Sequence, residues 1–178
     1  MPLPLGHIAI GLATHEVGST RSAFSRWKLF TVIVVLSNLP DIDVIIGLLF
    51  HWNGSAFHRG PTHSFLFALV IGFLASRASN IWTWLPRLGF WTCFSLILSH
   101  VAADALLSTS AVSFFWPLET NWSTGHSGWE DVVGMVLRGD KQDGWIALSS
   151  AAVIAILRAA RTLKTGRLIR SGSKSTGD

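Results

Sequence analysis

Along this chain, polar and apolar positions fall into long blocks rather than the short alternation of a half-buried strand. Apolar stretches cover residues 3–18, 29–50, 62–77, 88–107 and 144–163. A membrane-crossing helix needs about 20 mostly apolar residues, within a range of roughly 17–25. The second, fourth and fifth stretches meet that requirement, and the third sits close to its lower limit. The first is short, either re-entrant or lying partly outside the hydrocarbon. The pattern therefore predicts an all-α polytopic membrane bundle of about four full spans plus an N-terminal membrane-embedded helix. Residues 1–165 would form one domain with a long outer loop at 108–143, and residues 166–178 a basic, disordered tail.

Charge gives the bundle an orientation, because Lys and Arg concentrate in cytoplasmic connections. "STRSAFSRWK" carries Arg21, Arg26 and Lys28, and "SRASNIWTWLPRL" carries Arg77 and Arg87. The C-terminal segment adds Arg158, Arg161, Lys164, Arg167, Arg170 and Lys174. Loop 51–61 has Arg59 alone, and loop 108–143 sets Arg138 and Lys141 against five acids. Placing 19–28, 78–87 and the C-terminus in the cytoplasm puts the other two loops outside without forcing any of them. Trp27, Trp52, Trp82, Trp84 and Trp145 fall near stretch ends, where amphipathic rings favour the interface.

Composition agrees. The 178 residues are 49% hydrophobic and 13% charged, against about 25% charged in an ordinary soluble domain. Mean hydropathy is +0.45. The start lacks the basic region and small-residue cleavage site of a secretory signal. A net charge of +4 is compatible with nucleic-acid binding, but much of the excess lies in the tail, where contact with anionic lipid explains it. No nucleic-acid partner is expected; membrane lipids are. The single cysteine, Cys93, lies in an apolar run and excludes both a disulfide framework and a thiolate metal cluster.

Ionisable residues at membrane depth cost roughly 2.5–3.5 kcal/mol each on insertion scales, yet the apolar stretches contain several. In "SNLPDIDVI", Asp41 and Asp43 stand two positions apart, which on a regular helix points them in different directions. Pro40 removes a backbone donor and disfavours helix before it. The expectation is a break that aims both carboxylates into one cavity; otherwise they are solvated at the outer end of a shorter span. In "LSHVAADAL", His100 and Asp104 share one helix face. They could sit together on a metal, Asp104 could orient a ligating His100, or the pair could simply hydrogen-bond two helices together. "FHRGPTHS" supplies His58, Arg59 and His63, with a turn at Gly60–Pro61 and Thr62 as a candidate cap for a helix starting near His63. Arg59 is a permanently charged planar fork suited to a phosphate.

With the predicted topology these groups, and His7 near the start, converge on the outer half of the bundle. Histidine with carboxylate and no thiolate suits zinc, and also manganese or iron. The ligands suffice for one to two ions, and two together stabilise the entering and leaving oxygens of a phosphoryl displacement. The chain has no H-E-x-x-H, G-x-S-x-G or Walker motif.

The set "GHIAIGLATH", "LSNLPDIDVI", "HRGPTHSFLF" and "LSHVAADAL" resembles the YdjM-like bacterial inner-membrane proteins, described as metal-dependent hydrolases. The order of His and Asp ligands is also similar to that of zinc-dependent phospholipase C and its nuclease relatives. Those resemblances imply a helical phosphodiesterase-type site in the bacterial inner membrane. They place His7, Asp43, His63, His100 and Asp104 on metal, with Asp41 and His58 as supporting or second-metal ligands. The soluble phospholipase relatives add a later His/Glu set. Here Glu119, His126 and Glu130 are available, at a different spacing. The functional expectation is a membrane hydrolase of a lipid or lipid-linked phosphate ester. Asp41 or Asp43 would orient the attacking water and Arg59 would hold the phosphate. The alternative is a metal-stabilised scaffold or a metal-ion carrier without turnover.

Overall fold

A computed structural model describes residues 3–18, 27–108, 111–121 and 125–174, with side chains as far as residue 165. Arg21 and Arg26 of the first basic connection, and the end of the expected tail at 175–178, lie outside the described residues. The described residues contain no strand. They form α1 (Pro4–Gly18), α2 (Trp27–Asn38), α3 (Ile42–His51), α4 (Phe65–Ile81), α5 (Phe90–Leu107), α6 (Trp129–Arg138) and α7 (Lys141–Lys174), with 3-10 turns at Leu39–Asp41 and Pro61–His63.

The membrane spans follow the apolar blocks. Trp27–His51, Phe90–Leu107 and Lys141–Thr165 are long and apolar enough to cross, and Phe65–Ile81 is a shorter apolar helix. At about 1.5 Å per residue, α4 reaches roughly 25 Å, near the limit for a hydrocarbon core of about 30 Å. Large apolar side chains such as Val35, Leu49, Phe50, Phe73, Trp91 and Ile156 stand exposed around the bundle, as a lipid-facing surface requires. All five tryptophans expected at the interface are exposed as well. The connection 108–143, expected as a long outer loop, holds the helix α6. Trp129, Val132, Val133 and Val136 follow the i, i+3, i+4, i+7 spacing of an amphipathic helix. α7 is helical to Lys174, so part of the stretch expected as a tail continues the last span.

α1, α2, α4 and α5 share one core, centred on Leu12, Ile33, Leu36, Ala68, Leu96 and Ile97, with Cys93 among them. Two glycines let backbones approach where lipid supplies no hydrophobic drive for helix association. A Cβ on Gly11 would meet the Ser37 Cβ at 2.7 Å, and one on Gly72 the Phe94 Cα and N at 2.9 Å. α7 packs outside and holds α1 at both ends. Asp143 accepts hydrogen bonds from the backbone N–H groups of Leu3 (2.8 Å) and Gly6 (3.2 Å), satisfying donors that a helix start leaves open. Near the other end, Glu16 is 2% exposed. It accepts from Arg158 at 3.2 and 3.1 Å and from Arg161 at 3.0 Å. The two clamps fix the height of α1, and with it His7.

Because Gly72 faces main chain, which cannot rotate away, Gly72→Leu should destabilise the protein by about 1–3 kcal/mol. Gly144→Ala, whose Cβ meets nothing within 4 Å, should leave stability unchanged or slightly raised. Thermal unfolding in detergent followed by circular dichroism measures both; equal behaviour of the two variants would contradict the close α4–α5 crossing.

Candidate metal centre

Pro40 determines how the centre is assembled. Having no N–H and restricting Leu39, it ends α2 and forces the tighter Leu39–Asp41 turn before α3 resumes. The last carbonyls of a helix lack intrahelical partners. That of Ser37 accepts from His100 Nδ1 at 2.7 Å. The turn also brings Asp41 and Asp43 to opposite sides of one ring. Asp41 Oδ1 lies 3.5 Å from His63 Nε2, and Asp43 Oδ2 lies 3.1 Å from His63 Nδ1.

His63 sits in the 3-10 turn that precedes α4. The cap of α4 is Ser64, whose hydroxyl accepts from the Phe67 N–H at 3.0 Å. This corrects the expectation of a Thr62 cap. Thr62 is used elsewhere: its hydroxyl donates to Asp43 Oδ2 at 2.5 Å. Asp43 is also approached by His58 Nδ1 (3.1 Å) and accepts from the Arg59 backbone N–H (3.3 Å). An ionised carboxylate only accepts, so the Nδ1 atoms of His58 and His63 carry hydrogens and their Nε2 atoms are bare. The Ser37 carbonyl fixes His100 in the same tautomer.

Two bare imidazole nitrogens, His63 Nε2 and His100 Nε2, thus face each other at 3.3 Å. Asp41 Oδ1 is 3.4 Å from His100 Nε2, and Asp104 Oδ2 is 3.5 Å from His63 Nε2. Metal–ligand distances of about 2.0–2.1 Å put the corners of a tetrahedron roughly 3.3–3.4 Å apart. The His63–His100, Asp41–His63, Asp41–His100 and Asp104–His63 separations have that spacing. Asp41, His63, His100 and Asp104 are grouped as residues able to hold one ion, their ligand atoms all within 4.8 Å. Asp41 Oδ1 and both Asp104 oxygens are buried and accept no hydrogen bond from the described residues. Acceptors and lone pairs converging without donors repel one another unless a cation lies between them, so the residues fit a divalent ion.

Asp43, His58 and His63 form a second group able to hold an ion. It shares His63 with the first group. His7 completes the cluster: its Nε2 lies 3.5 Å from Asp104 Oδ1, its ring stacks on His100 at 3.6 Å, and neither nitrogen has a hydrogen-bond partner. Arg59, 2% exposed, places Nε 3.7 Å from Asp104 Oδ2. Asp41, whose side chain is 20% exposed, connects the cluster to a cavity of about 610 Å³ that His58 and Arg59 also line.

A model of the YdjM inner membrane protein family matches residues 1–166. The chain belongs to that family. It is 30% identical over 120 residues to "Inner membrane protein YbcI" of Escherichia coli (strain K12), covering 66% of this chain and 68% of the relative. No solved structure matches.

In this YdjM-family chain the structure brings together all eight residues singled out from sequence: His7, Asp41, Asp43, His58, Arg59, His63, His100 and Asp104. It does not bring Glu119, His126 or Glu130 to them. Glu119 accepts from the Phe115 N–H, and the other two are exposed. Sequence reasoning missed the buried titratable residues Glu16, His15 and Asp143. Asp143 and Glu16 hold α1 to α7, and their partners lie about 140 residues away in sequence. His15, 3% exposed, lies at the opposite end of α1 from His7. The spacing "GHIAIGLATH" hinted that both histidines face inward, since eight residues approximate two helical turns.

Counting from Phe90 to His100, or from Trp27 to Asn38, the centre lies roughly 15–17 Å from the opposite end of the bundle. A metal ion at His63 Nε2 competes with protons for that lone pair, so metal affinity should rise with pH. Competition titrations with a metal indicator, from mildly acidic to mildly alkaline pH, check this; affinity that is flat over that range would contradict coordination through His63.

Proposed function

We propose that the chain is an integral-membrane, metal-dependent hydrolase of a phosphate ester on a lipid or lipid-linked substrate. The observation that carries the reading is the convergence of Asp41, His63, His100 and Asp104, with four of their ligand-atom pairs 3.3–3.5 Å apart, at the edge of a largely apolar cavity. A thiolate-free histidine–carboxylate set suits zinc first, then manganese or iron. Two ions are accommodated if His7 and the second oxygen of Asp104 take part. When bound, a divalent ion supplies Lewis acidity at a phosphoryl oxygen and acidifies water.

The residues divide the remaining work. Asp43 holds the His63 and His58 rings from behind, the arrangement that raises ligand basicity and fixes ring orientation. Arg59 offers permanent positive charge to the phosphate. Asp41, at the cavity edge, orients the attacking water and takes its proton. As the water oxygen joins phosphorus, the bond from phosphorus to the leaving oxygen breaks, and the leaving alkoxide takes the proton that Asp41 received from water. The apolar walls exclude bulk water. The basic connections argue for a cytoplasmic C-terminus, which sets the centre toward the outer face of the inner membrane.

A metal carrier needs ligands along a path. Between the centre and His15 the core instead presents Ile33, Leu36 and Ile97, all buried. That favours hydrolysis over transport.

Metal content of detergent-purified protein should be stoichiometric in wild type and lost in His63→Ala and His100→Ala. Asp43→Asn, which spares the four closest ligands, should weaken affinity about 10–100-fold. Phospholipid vesicles should then yield a chelator-sensitive phosphate-bearing product with wild type alone. Bound metal without turnover would leave a scaffold or carrier; trace metal unaffected by either histidine substitution would end both readings.

A further inference from the structure

We infer that the cavity beside the metal centre is an acyl- or isoprenoid-chain site, and that the substrate reaches it sideways from the bilayer, between α2–α3 and α6. The inference rests on the proposed hydrolase reading for the headgroup step alone.

The cavity has a chemical gradient. Asp41, His58 and Arg59 mark one end, and the walls are otherwise mostly apolar. Its volume of about 610 Å³ lies within the range of small-molecule pockets, roughly 300–1,000 Å³. A water-soluble phosphate ester would leave that apolar wall wetted. An amphiphile whose phosphate lies next to an apolar chain matches both ends at once.

The direction of access comes from the walls. Val35, Ile42 and Ile45 belong to a span and are 53%, 40% and 53% exposed, so the same side chains line the cavity and face lipid. The opposite wall is α6, through Val132, Met135 and Val136. α6 is too short to span and buries none of its residues in the fold. Its apolar Trp129, Val133 and Leu137 are also exposed, the pattern of a helix lying in the interface with one face in the acyl region. Its start is anchored rather than free. Gly54 N–H donates to the Ser127 carbonyl at 2.8 Å, and Asn53 Oδ1 accepts from the Ser127 N–H at 3.0 Å. Both walls thus belong to lipid-immersed elements, and the chain of a membrane lipid can slide between them without crossing water.

The test uses full-length protein in lipid nanodiscs. One probe is a phosphodiester lipid with a photoactivatable group on its acyl chain; the other is the same phosphodiester with no chain. Ile45→Trp and Met135→Trp fill the cavity from opposite walls and touch no proposed ligand, and retained metal content shows that each folds. Wild type should label Val132 and Val136 in excess over the lipid-facing Leu69 and Phe73. Both variants should lose that excess and lose turnover of the chain-bearing probe, while hydrolysing the chainless one as wild type does. Equal labelling of α6 and α4, or labelling unchanged in both variants, overturns the chain site even where hydrolysis is measured. Variant-sensitive labelling without hydrolysis of either probe keeps the chain site and removes the hydrolase.

Discussion

The structure depends on a set of electron pairs that cannot coexist without positive charge. His63 Nε2 and His100 Nε2 stand 3.3 Å apart, and carboxylate oxygens of Asp41 and Asp104 lie 3.4–3.5 Å from one or the other. In a hydrocarbon setting the usual remedy, hydration, is missing, and unpaired buried charge is among the most expensive features a protein can carry. Proton or metal must fill the gap. Everything that holds the four residues in place is therefore maintained against strong repulsion, and the surrounding fold is best understood as that restraint.

The restraint has identifiable parts. Each histidine is fixed by a partner that can only accept: Asp43 for His58 and His63, the Ser37 carbonyl for His100. The Ser37 carbonyl is available because Pro40 ends α2 there. Gly11 seats α1 against Ser37 itself, so the helix carrying His7 and the carbonyl holding His100 are set by one contact. α7 adds nothing to the centre directly, yet its Asp143 and its two arginines determine where α1 sits along the bundle axis.

What was legible in the sequence, and what was not, follows from this division. The spans are written in long apolar blocks, and the ligand candidates stand out because charge within such blocks is costly. Pro40 announced the break between Asp41 and the rest of α2, and the four-residue spacing of His100 and Asp104 announced a shared face. Roles were harder to read. Whether a carboxylate faces a metal or the back of a histidine depends on which ring nitrogen it meets, and the composition of "LPDID" is silent on that. Sequence alone does not separate a Ser64 cap from a Thr62 cap, because either hydroxyl can start a helix; the cap is the hydroxyl not taken by Asp43. The clamps were invisible for another reason. Arg158 and Arg161 look like ordinary cytoplasmic basic residues until α1 is placed beside α7, a pairing no local pattern encodes.

The break at Pro40 also explains why centre and cavity are adjacent. Irregular backbone at membrane depth persists only where it is buried in protein or lines a cavity. The Leu39–Asp41 turn does both. Ser37 and Pro40 are buried against the bundle, while Asn38, Leu39 and Asp41 line the cavity. A straight α2 continuing into α3 would have closed that space with helix and turned Asp41 away from His63. One proline thus opens the apolar wall and supplies the carboxylate at its edge. Metal ligands and lipid-facing cavity are consequences of the same local departure from helical geometry, which is why a chain this short can carry both.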